Sequence, residues 1–112
     1  LVEQAMLYVQ LHYDRDLSLL QLADMYGVTP SKLSRLFKLK TGAGFGDYVT
    51  AYRMEKAMEM LRRTDLSVQK IAEQLRYTAV QSFNRAFRRA TGMSPGDYRR
   101  LMQKQEQRQA EA

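Results

Sequence analysis

Apolar residues recur along this chain at spacings of three and four, the helical period, and nowhere alternate as a strand would. Leu1, Ala5, Tyr8, Val9 and His12 line one face of a first helix, which Tyr13-Asp14-Arg15-Asp16 interrupts. Ser18 opens a second as N-cap, with Gln21 three residues on to complete a capping box. Leu19, Leu22 and Ala23 form its buried side, and Gly27 ends it in a left-handed turn. Thr29-Pro30 starts a third, a capping hydroxyl followed by a proline at the position where a missing N–H costs nothing. That helix carries Leu33, Leu36, Phe37 and Lys40 on one side and stops at Thr41-Gly42. The gap before it is about three residues, the length of a helix-turn-helix corner.

A longer pattern runs from Phe45 to about Arg63, with Tyr48, Val49, Tyr52, Ala57, Met60 and Leu61 continuing its apolar stripe. At 1.5 Å per residue, roughly 19 residues span about 28 Å. Thr64-Asp65-Leu66 breaks it, and Ser67 caps a fifth helix with Val68, Ile71, Ala72 and Leu75 inward. A turn around Arg76-Tyr77-Thr78 precedes a sixth helix ending at Thr91-Gly92. Ser94-Pro95 begins a short seventh through Tyr98 and Leu101. Residues Gln103 to Ala112 are polar with no apolar stripe, and are expected to be frayed helix or disordered.

The pattern is also a repeat. Leu22-Ala23 answers Ile71-Ala72, Leu33 answers Phe83, Phe37 answers Phe87, and Thr41-Gly42 answers Thr91-Gly92. From the third helix to the sixth the offset is 50 residues, and at the front of each unit it is 49, so the second turn is one residue longer. The expected architecture is all-α: seven helices forming two helix-turn-helix subdomains, at 1–44 and 64–102, joined by a linker helix at 45–63 and followed by a polar tail at 103–112. The helix-turn-helix cores fall at about 18–41 and 67–91.

The solvent sides of the third and sixth helices correspond too: Ser31 to Gln81, Ser34 to Asn84, Arg35 to Arg85, Lys38 to Arg88. Arginine can bond guanine with two N–H groups, and Asn or Gln can do the same for adenine. Ser31, Ser34, Arg35, Gln81, Asn84 and Arg85 are therefore candidate base contacts. Val80, at the start of the sixth helix, joins them with only apolar contact to offer, for example to a thymine methyl. Gln81 also has a second reading, as the partner of Thr78 in a capping box. Lys32, Lys38, Lys40, Arg88 and Arg89 fit phosphate contacts. Thr41 and Ser94 lie near helix ends where backbone N–H groups could meet phosphates, with capping as the simpler role. Two reading helices on one face of B-DNA should sit about 34 Å apart, a spacing that a rigid helix of about 28 Å plus its end offsets could hold.

Charge supports an anionic partner. The 112 residues hold 18 Lys and Arg against 12 Asp and Glu, a net charge of +6. The size suits one compact domain or two very small ones sharing an element. Absence of cysteine removes disulfides and thiolate metal sites and fits the cytoplasm. No apolar run is long enough to span a bilayer, and no signal peptide is visible at the first residues. Without an initiator Met, the chain reads as a fragment of a longer protein. Enzymatic chemistry is not indicated: there is no Gly-rich phosphate loop, no metal-ligand cluster and no nucleophile–base pair. Asp14 and Asp16 sit in a short polar connection without support, and His12, the single histidine, reads as packing. No metal or cofactor is expected. A basic helical adaptor for acidic proteins would explain the charge but not why both exposed faces repeat in register. Single-stranded RNA binding fits less well, since the aromatics fall on buried stripes.

Taken together, the chain resembles the AraC/XylS family of bacterial transcription regulators. The resembling parts are Leu17-Ser18-Leu19 with Leu22-Ala23; Leu33-Ser34-Arg35-Leu36-Phe37-Lys38; Thr41-Gly42 with Phe45 and Tyr48; and Arg53 with Ala57. In the second half they are Ile71-Ala72, Ser82-Phe83-Asn84-Arg85 with Phe87, and Gly92-Met93-Ser94-Pro95 with Tyr98-Arg99. The resemblance implies a domain that binds double-stranded DNA with helices three and six in successive major grooves. It further implies a separate effector-binding or dimerisation domain, RNA polymerase as a partner, and activation of transcription. The isolated domain is expected to be a monomer and the full-length protein able to dimerise. Arg76 departs from the family's common glycine at the second turn, so strain or a different turn is expected there.

Overall fold

The computed structural model describes residues 1–111. It contains seven helices and, among the described residues, no strand: α1 Val2–His12, α2 Leu19–Met25, α3 Pro30–Thr41, α4 Phe45–Arg63, α5 Val68–Gln74, α6 Val80–Thr91 and α7 Pro95–Glu111. The chain divides into two compact units, Leu1–Arg53 and Met54 onward, and the division falls inside α4.

In the first unit, the core is Ala5 and Val9 of α1, Leu22 and Ala23 of α2, Leu33 and Phe37 of α3, and Phe45 and Val49 of α4. The Phe37 ring lies 5.4 Å from Phe45 and 5.5 Å from Tyr48. In the second unit, Met54, Ala57 and Leu61 of α4 are buried, as are Ile71, Ala72, Leu75, Phe83, Phe87 and Tyr98. The first half of α4 thus serves one core and the second half the other. Ala57 and Leu61, like Ala5 and Val9, are fully buried four residues apart on one helix.

Local chemistry sets the helix starts. The Ser18, Thr29 and Ser67 hydroxyls accept the N–H groups of Gln21, Lys32 and Lys70 at 3.0, 3.2 and 3.1 Å. Each satisfies one of the donors a helix N-terminus leaves over. Only half of the expected capping box forms at α2, because no bond returns from the Gln21 side chain to Ser18. At α6 the capping box is absent. The extra residue of the second turn makes Ala79 the N-cap, so Thr78 lies one position too early to accept from the helix.

Four further expectations are corrected. Leu1 is 40% exposed because it precedes the first turn of α1. Lys40 is exposed rather than on the packed side of α3. Met54, left off the expected stripe, is buried. Finally, α7 does not stop near Leu101 but continues to Glu111. Gln, Lys, Glu, Arg and Ala are good helix formers, and elongating a nucleated helix needs no apolar stripe. Ala112, the last residue of the expected tail, lies outside the described residues.

The two turns begin on the same backbone path, before the extra residue of the second. Gly27 has φ 67° and Arg76 has φ 70°. Gly27 N–H donates to Asp24 and Val28 N–H to Ala23, at 3.2 and 3.0 Å. Arg76 N–H likewise donates to Glu73 and Tyr77 N–H to Ala72, both at 3.0 Å. Arg76 holds a left-handed conformation that costs a non-glycine residue about 1–3 kcal/mol. On the backbone alone, Arg76→Gly should raise stability by about 0.5–1 kcal/mol after glycine's larger unfolded-state entropy is subtracted, less what the interactions of the Arg76 side chain contribute. A shifted denaturation midpoint at unchanged slope would register this. A fall in stability would mean that the Arg76 side chain contributes more than its backbone costs.

Candidate nucleic-acid interface

Because Leu33 and Phe37 pin one side of α3, residues roughly half a turn away must face water. Ser31, Lys32, Arg35 and Lys38 are exposed and Ser34 is half-buried. Ser31, Ser34 and Arg35 line one shallow depression with Leu19 and Pro30. Ser34, Arg35 and Lys38 line another with Leu39. Four of the expected contact residues of α3 are thus brought onto one continuous surface.

On α6, Phe83 and Phe87 are fully buried, with ring centroids 5.9 Å apart. Gln81, Asn84, Arg85, Arg88 and Arg89 are exposed, and Val80 is half-buried. Thr78 makes no cap, so the Gln81 amide is not engaged by it. The nearest side-chain partner of Arg85 is the Ser82 hydroxyl, 3.5 Å from Nη2. Among the described residues, neither Arg35, Lys38, Arg85 nor Arg89 forms an ion pair with a carboxylate. Their charge is therefore available to an anionic ligand without first breaking an internal bridge.

Three of the expected backbone contacts, Lys40, Thr41 and Ser94, have partners within the fold. Lys40 Nζ is 3.3 Å from Glu3 of α1. A backbone N–H bond at Glu3 itself, and then Lys40, hold the Glu3 carboxyl below the usual range. The Thr41 hydroxyl donates to the Phe37 carbonyl at 2.8 Å and accepts the Ala43 N–H at 3.1 Å. Thr91 repeats this with Phe87 and Met93, at 2.9 and 3.2 Å. Ser94 Oγ accepts the Asp97 N–H at 3.1 Å. The Asp97 carboxyl is in turn held below its ordinary value by Arg100 first and Ser94 second. Thr41 and Ser94 close helix ends, and Lys40 ties α3 to α1.

Two features escaped sequence reading. Leu39 is 84% exposed beside Arg35 and Lys38. Its one visible signal is that the matching residue of the repeat, Arg89, is charged. The second feature is the role of Arg53 and Arg99, residues that carry the resemblance but whose spacing does not show that they act as guanidinium staples. Arg53 Nε and Nη2 donate to the carbonyls of Tyr13 and Arg15 at 3.0 and 2.9 Å. Arg99 Nε and Nη2 donate to Leu61 and Thr64, both at 3.1 Å. Each ties down the segment leading into its unit's helix-turn-helix, satisfying carbonyls that the end of a helix leaves unpaired.

No group of three or more His, Cys, Asp or Glu residues able to hold a metal occurs among the described residues. None of the helices is long and apolar enough to cross a membrane.

Comparison with known proteins identifies the family and the fold. Residues 22–101 match a family model described as a helix-turn-helix domain. The chain is 38% identical over 87 residues to the HTH-type transcriptional regulator YtdP of Bacillus subtilis, a match covering 78% of this chain and 11% of YtdP. It therefore spans about a tenth of the length of such curated relatives. Among solved structures, it resembles the C-terminal domain of AraT, a response regulator from Geobacillus stearothermophilus. That match has 40% identity and a TM-score of 0.85, covering 89% of this chain and 84% of that one. The DNA-binding domain of AdpA, a global transcriptional factor solved with a target DNA, shares the fold at 21% identity and a TM-score of 0.87. The match covers 93% of this chain and 94% of that domain.

Proposed function

Since the chain belongs to the AraC-type family of helix-turn-helix DNA-binding domains, we propose that it reads a bipartite DNA sequence with two recognition helices, α3 and α6, in successive major grooves. The observation that carries this reading is the repetition of one exposed face on two helices whose opposite faces are anchored by buried residues. Arg35 and Arg85 read bases, and Ser31, Ser34, Gln81 and Asn84 tune the preference. Val80 offers apolar contact at the start of α6. Lys32, Lys38, Arg88 and Arg89 hold phosphates. Lys40, Thr41 and Ser94 act on the backbone only at one remove, by fixing the helix ends from which the other contacts project.

The regulator of which this domain is part acts in the cytoplasm as an activator, with RNA polymerase as its partner. The isolated domain binds as a monomer because its two reading helices are covalently joined, while the longer protein is able to dimerise.

Selection of binders from random duplex DNA at near-physiological salt tests the reading. Two short enriched motifs about 10 base pairs apart are expected. One motif alone would mean that a single helix reads sequence. Binding without enrichment, falling only with salt, would leave a non-specific basic surface and favour an acidic protein partner.

A further inference from the structure

We infer that Leu39 is a specificity-determining residue of the α3 half-site, contacting the C5-methyl of a thymine. The inference rests on α3 being a recognition helix. Leu39 is 84% exposed, the largest exposure of any large apolar side chain among the described residues. It shares a depression with Ser34, Arg35 and Lys38, so its methyl groups lie on the reading surface. Leu7, Leu11 and Leu20 are also bare, but they belong to α1 and α2 and none lines that depression. Leu39 lies one helical turn beyond Arg35, on the same outward face of α3.

The repeat sharpens the point. The position matching Leu39 on α6 carries Arg89, whose exposed guanidinium suits a phosphate. A leucine cannot make that contact, and leaving it in water forgoes the gain of burial. The apolar group that the floor of a major groove presents is the thymine methyl, which cytosine and the purines lack. The ligand chemistry complementary to Leu39 is therefore a 5-methylpyrimidine at the edge of the sequence read by Arg35.

The probe is the duplex recovered by selection, with each thymine replaced in turn by deoxyuridine, which removes only the methyl group. At one thymine in the α3 half-site, the replacement should weaken binding by the wild-type chain about 4-fold, the worth of one buried methyl-sized group. The same replacement should change binding by Leu39→Ala less than 2-fold, and 5-methylcytosine at that position should restore part of the wild-type preference. Leu39 is 84% exposed, so circular dichroism should report both proteins equally folded. Equal sensitivity of wild type and Leu39→Ala at every thymine would overturn the inference while leaving the recognition-helix reading intact. Failure to select any α3 motif would instead remove the reading on which it rests.

Discussion

Phe37→Ala and Phe87→Ala are each expected to unfold the unit that contains them. Both rings are 0% exposed. Truncating a fully buried phenylalanine costs about 3–5 kcal/mol, transfer and cavity terms together. A unit of some 50 residues has a total stability of only about 3–8 kcal/mol at the usual 0.05–0.15 per residue, and so small a core has little reserve. Phe87 also loses its edge-on contact with Tyr98, at a centroid distance of 5.5 Å. Amide hydrogen exchange locates the damage. In Phe87→Ala the amides of α5, α6 and α7 should lose protection well before those of α2 and α3, with the converse in Phe37→Ala. Phe87→Leu, which keeps most of the apolar volume, should be far milder. In DNA selection, Phe87→Ala should return the α3 motif without the α6 motif. Full protection and an unchanged two-part motif would show that the exposed face of α6 does not depend on its buried one.

The same residues explain what could be read from the sequence. Ser18, Thr29, Ser67 and the two Thr-Gly pairs are local signals whose chemistry acts within a few residues, so the helix starts and stops were legible. Phe37 and Phe87 were legible as core because the repeat doubled the signal of each. Met54 was not, because one apolar stripe does not describe α4: Phe45 and Val49 belong to the first unit's core, and Met54, Ala57 and Leu61 are buried in the second unit. The length of α7 was missed for a related reason: apolar periodicity reports burial, and the helix beyond Met102 buries nothing. Within the site, exposure of Arg35, Gln81, Asn84 and Arg85 followed from the helical period. The diversion of Lys40 to Glu3, and of the Thr41 hydroxyl to Phe37 and Ala43, depends on contacts that periodicity does not encode.

Arg85→Ala should weaken binding to the selected duplex by about 1–3 kcal/mol and relax preference at one base pair. Arg85 is exposed and its nearest side-chain partner is a hydroxyl at 3.5 Å, so the fold has little invested in it. Its removal should leave stability within about 0.5 kcal/mol of wild type. The loss in binding would then belong to the DNA contact and not to unfolding. Arg85→Lys separates charge from shape. Lysine keeps the positive charge but lacks the planar fork that bonds guanine twice. It should therefore retain most of the salt dependence while losing the base preference. Arg89→Ala provides the opposite pattern, a roughly uniform loss across sequences with a shallower dependence on salt, as a phosphate contact requires. Titrations of the three variants against the selected duplex and single-base-pair variants of it, at two salt concentrations, distinguish these outcomes. If Arg85→Ala weakens every duplex equally, Arg85 is a backbone contact, and base reading on α6 falls to Gln81 and Asn84.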